Sequence, residues 1–493
     1  MRKPRLARLR GWLPLALLLM LGAALRFVNL SAPPLDFHST RQLRNSLVAR
    51  AIYYDALPSA RPQDQQLARS FRRAVGQYEP PIIESIVGFT FLASGGESFA
   101  VPRIYGTLFW LVAGLALFDL GRRLFSPAAA LLALAYYLVL PFSVQASRSF
   151  QPDPLMTATF AVGVYFLFRW MEEQTWKWAI LGALFAGLAV LVKLVIVFLV
   201  AGAAIAVVLT VLGRRFWHSA QVWVMMGLMV APATGYYVLG HPGRSTEYFV
   251  SWTVQLIRLI TSPHFYADWL GYVGSLLGLS VLFLSVAGMC MAPRRFRSLL
   301  AGLWIGYVLY GLVLPFQMTT HSYYHLQLVP VAALGLMPVI QVVVDKASSL
   351  DRAWRAALVL LMLAFIGYES WAARSALAAD DFRQSPALWS SIARAIPGNS
   401  DVIALTQDYG FDLMYWGWRK VDLWPLTTDL AALKNSSRDL AARFSSLTAG
   451  HRYFLVTAFG QLEGQPELRQ ILEGYNAVAQ GPGYVLYDLQ QSK

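Results

Sequence analysis

The chain has a single cysteine, Cys290, among 493 residues, so no intrachain disulfide can form. An extracytoplasmic region without disulfides fits a bacterial envelope better than a secretory lumen. Charge is scarce as well: Asp, Glu, Lys and Arg make up 14% of the residues, against 57% that are hydrophobic. A soluble domain of this length would carry far more charge on its surface. Acids are scarcer than bases, 27 against 41, which leaves a formal charge of +14. That excess does not point to nucleic acid, because much of it lies in short clusters at the ends of apolar runs, where it orients helices. No H-E-x-x-H, Walker A, G-x-S-x-G or zinc-type cysteine spacing occurs, which argues against a metalloprotease, a P-loop ATPase and a serine hydrolase. Internal repeats and low-complexity tracts are missing too.

What the sequence does have is apolar length. The mean hydropathy is +0.48, and runs of about 17–25 apolar residues, enough to cross hydrocarbon, recur from Leu13 to Ala372. Residues 1–373 therefore read as one polytopic α-helical membrane domain, and 374–493, richer in Asp, Gln and Ser, as a small soluble domain. Spans are expected near Leu13–Val28, Val101–Leu120, Pro127–Gln145, Pro154–Trp170, Trp178–Val192, Leu194–Leu212, Ala220–Leu239, Trp269–Met291, Leu299–Phe316, Leu326–Val344 and Ala356–Ala372, about eleven in all. Trp178–Leu212 is too long for one span and carries Lys193 in its middle. It reads as a tight helical hairpin turning at Lys193, with one long tilted helix as the alternative. No clear A-x-A site follows the first apolar run, so that span is read as uncleaved.

Six basic clusters then fall on one side: Arg2–Arg10, Arg122-Arg123, Arg169–Lys177, Arg214-Arg215, Arg294–Arg297 and Lys346–Arg355. This makes the chain a multi-pass protein of the inner (plasma) membrane with a cytoplasmic N-terminus. The opposite face holds Asn29–Ala100, Ala146–Asp153, Gly240–Asp268, Gln317–His325 and the C-terminal domain. In the first of these, Thr40–Leu57 and Asp64–Val75 look amphipathic and read as interfacial helices, and Glu79–Phe91 as a short re-entrant or interfacial one. In the C-terminal domain, strands at Asp401–Thr406, Lys420–Trp424, Tyr453–Thr457 and Tyr484–Leu489 alternate with helices at Asp408–Gly417, Ser437–Ala449 and Glu467–Gly474, a small α/β layer pattern. Gly481-Pro482-Gly483 reads as a turn.

The polar residues on that face are the candidates for chemistry. Pro33-Pro34-Leu35-Asp36-Phe37-His38-Ser39-Thr40-Arg41 sets an acid, an imidazole and a guanidinium within six residues. Asp36 can take a proton from an attacking hydroxyl or hold a cation; its plainer reading is a helix cap, a role that Ser39 fills better. Glu79 stands before the rigid Pro80-Pro81 and is a second acid on the same loop. Arg148 and Asp153 flank the start of a span, either as a local ion pair or as a substrate site. Lys193 snorkels or binds phosphate. His321, Tyr323, Tyr324 and His325 crowd one short loop; two histidines four apart ligate metal if helical, but no third ligand is near. Arg258 and His264 are weaker candidates.

These residues resemble a known family. Gly96-Glu97-Ser98-Phe99-Ala100-Val101-Pro102-Arg103-Ile104-Tyr105-Gly106, running on to Leu120-Gly121-Arg122-Arg123, is similar to the second-span signature of the protein mannosyltransferase-like and aminoarabinose transferase-like glycosyltransferases of the GT-C type. Asp36, Glu79-Pro80, Arg148 with Asp153, Gly187–Lys193 and His321–Pro330 match that family in order and spacing, over about Leu13 to Val344. The resemblance implies a transferase that takes a sugar from a polyprenyl-phosphate donor and joins it, with inversion at C1, to a protein, lipid or glycan acceptor. It implies Asp36 at the reaction centre and Glu79 and Asp153 as further active-site acids. His38, Arg41, Arg148, Lys193, His321 and Tyr324 are then expected to bind substrate. A divalent cation on Glu79 and Asp153 is compatible with this chemistry and not required. Two departures stand out. Asp36 is followed by Phe37-His38 where many relatives have a second acid, and Pro80 stands where aminoarabinose-transferring relatives have lysine. A transporter or lipid flippase is the competing class, although that would place its ionisable groups near the membrane midplane.

Overall fold

A computed structural model describes residues 3–76, 78–240, 253–254, 256–398, 400–427 and 440–492. Within these, the apolar runs are helices. Seven are long and apolar enough to cross a membrane: Ala100–Leu124, Asp153–Glu173, Leu194–His218, Ala220–Gly240, Arg294–Val313, Ser322–Ser348 and Arg352–Ala378. Two bent pairs raise the number to as many as nine. Pro127–Val139 and Pro141–Arg148 meet at 62°, where Pro141 removes a backbone donor. Pro263–Leu277 and Leu279–Met291 meet at 96°, across Gly278 at φ 90°, a conformation costly for any other residue. The eleven expected positions all fall on helices. The count of eleven adds to the nine the shorter apolar helices Trp12–Arg26 and Trp176–Val192.

The break at Lys193 is present: the Trp176–Val192 helix ends there, Lys193 is extended, and a 3-10 turn over Leu194–Ile196 leads into Val197–Leu212. The two helices do not form a closely packed hairpin. Trp176–Val192 packs on Asp153–Glu173 and Ala220–Thr234, whereas Val197–Leu212 packs chiefly on Arg294–Val313. The latter contact is held by glycine: a Cβ on Gly202 would strike the Gly302 carbonyl, and one on Gly302 the Gly202 carbonyl. Small residues are what let two backbones approach this closely where no water drives association. Of the Gly240–Asp268 segment, residues 241–252 and 255 lie outside the described part, as do 437–439 at the start of the expected Ser437–Ala449 helix.

The chain divides into two compact units. The first, Met1–Ser31, Gln77–Ile83 and Ser98–Asp380, contains the spans. The second combines Ala32–Gly76, Glu84–Glu97 and Asp381–Lys493. The sequence division at 373/374, which kept the first loop with the spans, therefore differs from the grouping in space. Ser39–Ala56 differs in character as well. It buries residues on every side, Arg44, Asn45 and Arg50 included, and so is a core helix and not an amphipathic one. Pro62–Ala74 is amphipathic as expected, burying Ala68 and Phe71.

The second unit is built on a five-stranded sheet of order β2-β1-β3-β5-β4, with β1 Val402–Leu405, β2 Asp422–Leu423, β3 Tyr453–Val456, β4 Tyr475–Gly481 and β5 Tyr484–Ser492. β1 runs parallel to β2 and β3, while β5 is antiparallel to β3 and β4. Alternate side chains of a strand face opposite ways, so the central strands feed two cores. Val402, Ala404 and Leu455 pack with Trp389, Ile392 and Leu413 on one face; Ile403, Leu405 and Val456 pack with Trp424, Phe444 and Leu468 on the other. Four strands and the turn at Gly481-Pro482-Gly483 fall where expected. β4 and the Ser385–Ala395 helix are additions: β4 is a half-exposed edge strand with no apolar alternation to betray it.

Candidate functional site

In the first unit, three buried arginines organise the chain that leaves the first helix. Arg26 donates to the Gly22 and Leu138 carbonyls at 2.9 and 3.0 Å and to Ser147 Oγ at 2.7 Å. Arg103 donates to the Asn29 and Leu30 carbonyls at 3.1 and 2.9 Å. Arg148 donates to the Val28 and Asn29 carbonyls at 2.6 and 3.2 Å. Buried carbonyls past a helix end need such donors. Arg148, expected to contact substrate, thus directs both terminal nitrogens at backbone.

Asp153 does not form the local pair with Arg148 expected from their spacing. Its partner is Lys193, forty residues on, at 2.8 Å, with both side chains buried. Secondary structure places the pair. Asp153 opens the Asp153–Glu173 helix, and Lys193 closes Trp176–Val192, so each charge sits at the helix end whose dipole favours it. The Lys193 ammonium points inward and does not snorkel. It lies 4.7 Å and 4.5 Å from the ring centroids of Tyr323 and Tyr324, within cation–π range. The Tyr324 carbonyl accepts from Tyr310 Oη and from Gln327 Nε2, and the Tyr310 ring stacks on that of Tyr324.

The histidines of this loop are not on one helical face. His321 is extended, and its Nδ1 bonds Thr320 Oγ1 at 2.7 Å. His325 is buried between Tyr307 Oη at 2.8 Å and the Met318 carbonyl at 3.0 Å, so both its ring nitrogens are engaged. Glu79, half-buried, precedes the proline pair as read from sequence. Arg258 and His264 are exposed. Among the described residues no three His, Cys, Asp or Glu side chains gather into a metal site. Asp153, one of the two expected ligands, is held by Lys193.

Four polar atoms in this neighbourhood of sequence are buried and have no hydrogen-bond partner among the described residues: both amide atoms of Gln151, Asp153 Oδ2 and Thr157 Oγ1. A buried amide left unmade costs about 1–3 kcal/mol. Such groups mark either strain or a place kept for a ligand.

In the second unit, Asp36 is half-exposed, and Gln42 Nε2 reaches its Oδ1 at 3.3 Å and the Phe37 carbonyl at 2.8 Å. His38 is the N-cap of Ser39–Ala56, left-handed at φ 48°, and its side chain makes no cap bond. Ser39 is the first helical residue and not the cap that the sequence suggested. The Ser39 and Thr40 hydroxyls instead donate to Asp408 Oδ1, the former at 2.7 Å. Arg41 lies half-buried in the first turn. Further along the same helix, Arg50 forms a hub: it pairs with Glu97 at 2.9 Å, lies 3.7 Å over the Tyr415 ring, and Tyr415 Oη donates to Glu97 at 2.7 Å. Burial alone would pull the Arg50 guanidinium down, yet Glu97 beside it holds it above its ordinary value. No local pattern announced this hub, because its members lie up to 365 residues apart.

Asp412 is buried next to Asp408, and burial, reinforced by that second carboxyl, pushes it up to about 8. A carboxyl raised in the folded state retains its proton after the unfolded chain has lost its own. Stability is therefore full below the unfolded value near 4 and falls as pH rises through about 8. We expect Asp412→Asn to flatten this loss, raising the melting temperature of the protein at pH 8 but not at pH 4. An unchanged pH profile in thermal denaturation would refute it.

The structure is thus a polytopic helical membrane protein with a sheet-containing C-terminal region, and its fold resembles the GT-C type. The family described as dolichyl-phosphate-mannose-protein mannosyltransferase matches residues 78–237, the segment that holds Arg148, Asp153 and Lys193. Lipid A galacturonosyltransferase RgtD from Rhizobium johnstonii is 26% identical over 213 residues, which span 42% of this chain and 45% of that protein. The chain thus matches less than half the length of this relative. ArnT from Cupriavidus metallidurans bound to undecaprenyl phosphate superposes with a TM-score of 0.62 at 16% identity, over 97% of this chain and 98% of that one. The Archaeoglobus fulgidus oligosaccharyltransferase in complex with Zn and sulfate gives 0.53 at 15% identity, over 96% and 73%.

Proposed function

We propose that the protein is an integral membrane glycosyltransferase that moves a sugar from a polyprenyl-phosphate donor to an acceptor hydroxyl outside the cytoplasm, inverting C1. The observation that carries this reading is the buried Lys193–Asp153 pair beneath Tyr323 and Tyr324, because it lies at the ends of apolar helices and within the segment that matches the mannosyltransferase family. Fold similarity over the whole chain to a structure holding undecaprenyl phosphate supports the choice of donor.

In the reaction, Asp36 takes the proton of the acceptor hydroxyl as its oxygen bonds to C1. The C1–O bond to phosphate breaks, and its electron pair leaves with the polyprenyl phosphate. Charge then grows on the leaving oxygen. Within the first unit, a fixed cation such as Lys193, in surroundings poor in water, holds an anionic phosphate more strongly than water would. Asp153 holds the ammonium in place, and the two tyrosine faces limit where it can move. Multi-pass topology with a cytoplasmic N-terminus and the second unit outside follows from the basic clusters. The test is donor consumption: purified protein given a panel of polyprenyl-phosphate sugars should release polyprenyl phosphate from at least one. Inertness to all of them, with a transport signal instead, would favour the flippase class.

The unbonded Gln151 amide takes its place in this reading as a reader of donor hydroxyls. Gln151→Leu is then expected to stabilise the donor-free protein, by about 1–3 kcal/mol for a buried amide removed, and to weaken donor binding. Thermal melting with and without donor measures both; a variant less stable and equally good at binding would show that Gln151 serves packing alone.

A further inference from the structure

The second unit contains a groove of about 930 Å³ between the Pro62–Ala74 helix on one side and the Ser385–Ala395 helix with the turn Trp416–Lys420 on the other. Its lining mixes three chemistries. Gln63 and Gln66 lie one turn apart on the Pro62–Ala74 helix and present two exposed amides. Arg394 and Lys420 bring two exposed cations, and Asp401 is the one acid in the lining. Trp418 supplies a half-exposed indole.

Trp418 is held in a costly way. Its φ of 51° is left-handed, an outlier for a bulky side chain. Such strain, of order 1–3 kcal/mol, persists only where the surroundings over-determine it, and it gathers at ligand clamps. The surroundings are visible here: the ring lies 5.3 Å from Tyr54 and 6.1 Å from Phe71, with the Arg50 guanidinium 4.8 Å from its centroid. Next to it, Arg419 donates to the Ile396 and Ser400 carbonyls and so fastens the turn to the groove wall. The indole is thus fixed at the groove before anything binds.

An aromatic face suits the C–H face of a sugar ring. Side-chain amides offer paired donors and acceptors for hydroxyls. Two cations with little local neutralisation suit a carboxylate or phosphate. A neutral glycan would leave the cations without a role, and an inorganic anion would leave the indole and amides without one. We propose that this groove binds a carboxylate- or phosphate-bearing saccharide as the recognised part of the acceptor. This rests on the transferase reading above, but the binding itself does not.

The test titrates full-length protein, in nanodiscs of zwitterionic lipid, with hyaluronan tetrasaccharide, neutral chitotetraose or inorganic phosphate. The acidic tetrasaccharide should bind about tenfold or more tighter than either of the others, as one or two charge-assisted bonds would give, and more weakly as salt rises. The double variant Arg394→Glu/Lys420→Glu changes exposed side chains only. It should lose that preference and still bind polyprenyl phosphate like the parent. Equal binding of the acidic and neutral sugars, or an unaffected double variant, would overturn the proposal. Saccharide binding without turnover of any polyprenyl donor would count against the transferase reading and leave the groove assignment standing.

Discussion

Asp36→Asn is expected to abolish sugar transfer, with a fall in kcat of about 10²–10⁴-fold, the usual contribution of a positioned base. The substitution is nearly isosteric. Asp36 is half-exposed, and Asn keeps its shape and the Oδ1 that accepts from Gln42 Nε2 at 3.3 Å. Loss of the carboxylate should therefore leave the fold and the binding of polyprenyl-phosphate donor intact. The decisive comparison is kcat against donor Kd in the same preparation. A variant that binds donor normally and transfers at the parental rate removes Asp36 from the reaction. A variant that loses donor binding as well would make Asp36 a structural residue of the loop.

Lys193→Met should have the largest effect on stability. It leaves the Asp153 carboxylate buried with no counter-charge, since its other oxygen already has no partner among the described residues. Breaking a buried pair from one side costs about 3–5 kcal/mol, whereas replacing both members by apolar groups is often close to neutral. Melting should fall sharply in Lys193→Met and recover in Lys193→Met/Asp153→Leu. Donor turnover should fail in both. That split separates a cation needed for chemistry from one needed only to neutralise an acid: if the double variant melts like the parent and also transfers sugar, the pair has no part in the reaction.

The membrane portion was readable because hydrophobic length survives into structure almost unchanged. Each expected span lies on a helix, and the break at Lys193 is where a charge interrupts an apolar run. The candidate residues were less legible. Asp153 and Lys193 were both singled out, but their pairing crosses two helix ends and has no local spacing to reveal it. Arg148, expected from the resemblance to bind substrate, also donates to the Val28 and Asn29 carbonyls, a link that no local spacing shows. Nothing in the composition of Ser39–Ala56 showed that its arginines are interior. Arg50 is buried because Glu97 and Tyr415 come to it, and such long-range partners are invisible to periodicity.

One feature of the second unit bears on how the protein is made. Ser39 and Thr40 bond Asp408, and Arg50 bonds Tyr415 and Glu97. Residues that emerge early in synthesis therefore wait for partners more than three hundred and sixty positions later, after every apolar helix has been threaded. Closing such distant contacts carries a loop-entropy cost before any burial rewards it. Arg50 can meet Glu97 forty-seven positions on, but its contact with Tyr415 waits for the C-terminal part. The first extramembrane segment is thus an open client throughout insertion. Completion of this unit therefore follows synthesis of its Asp381–Lys493 part and not entry of the first helix into the bilayer.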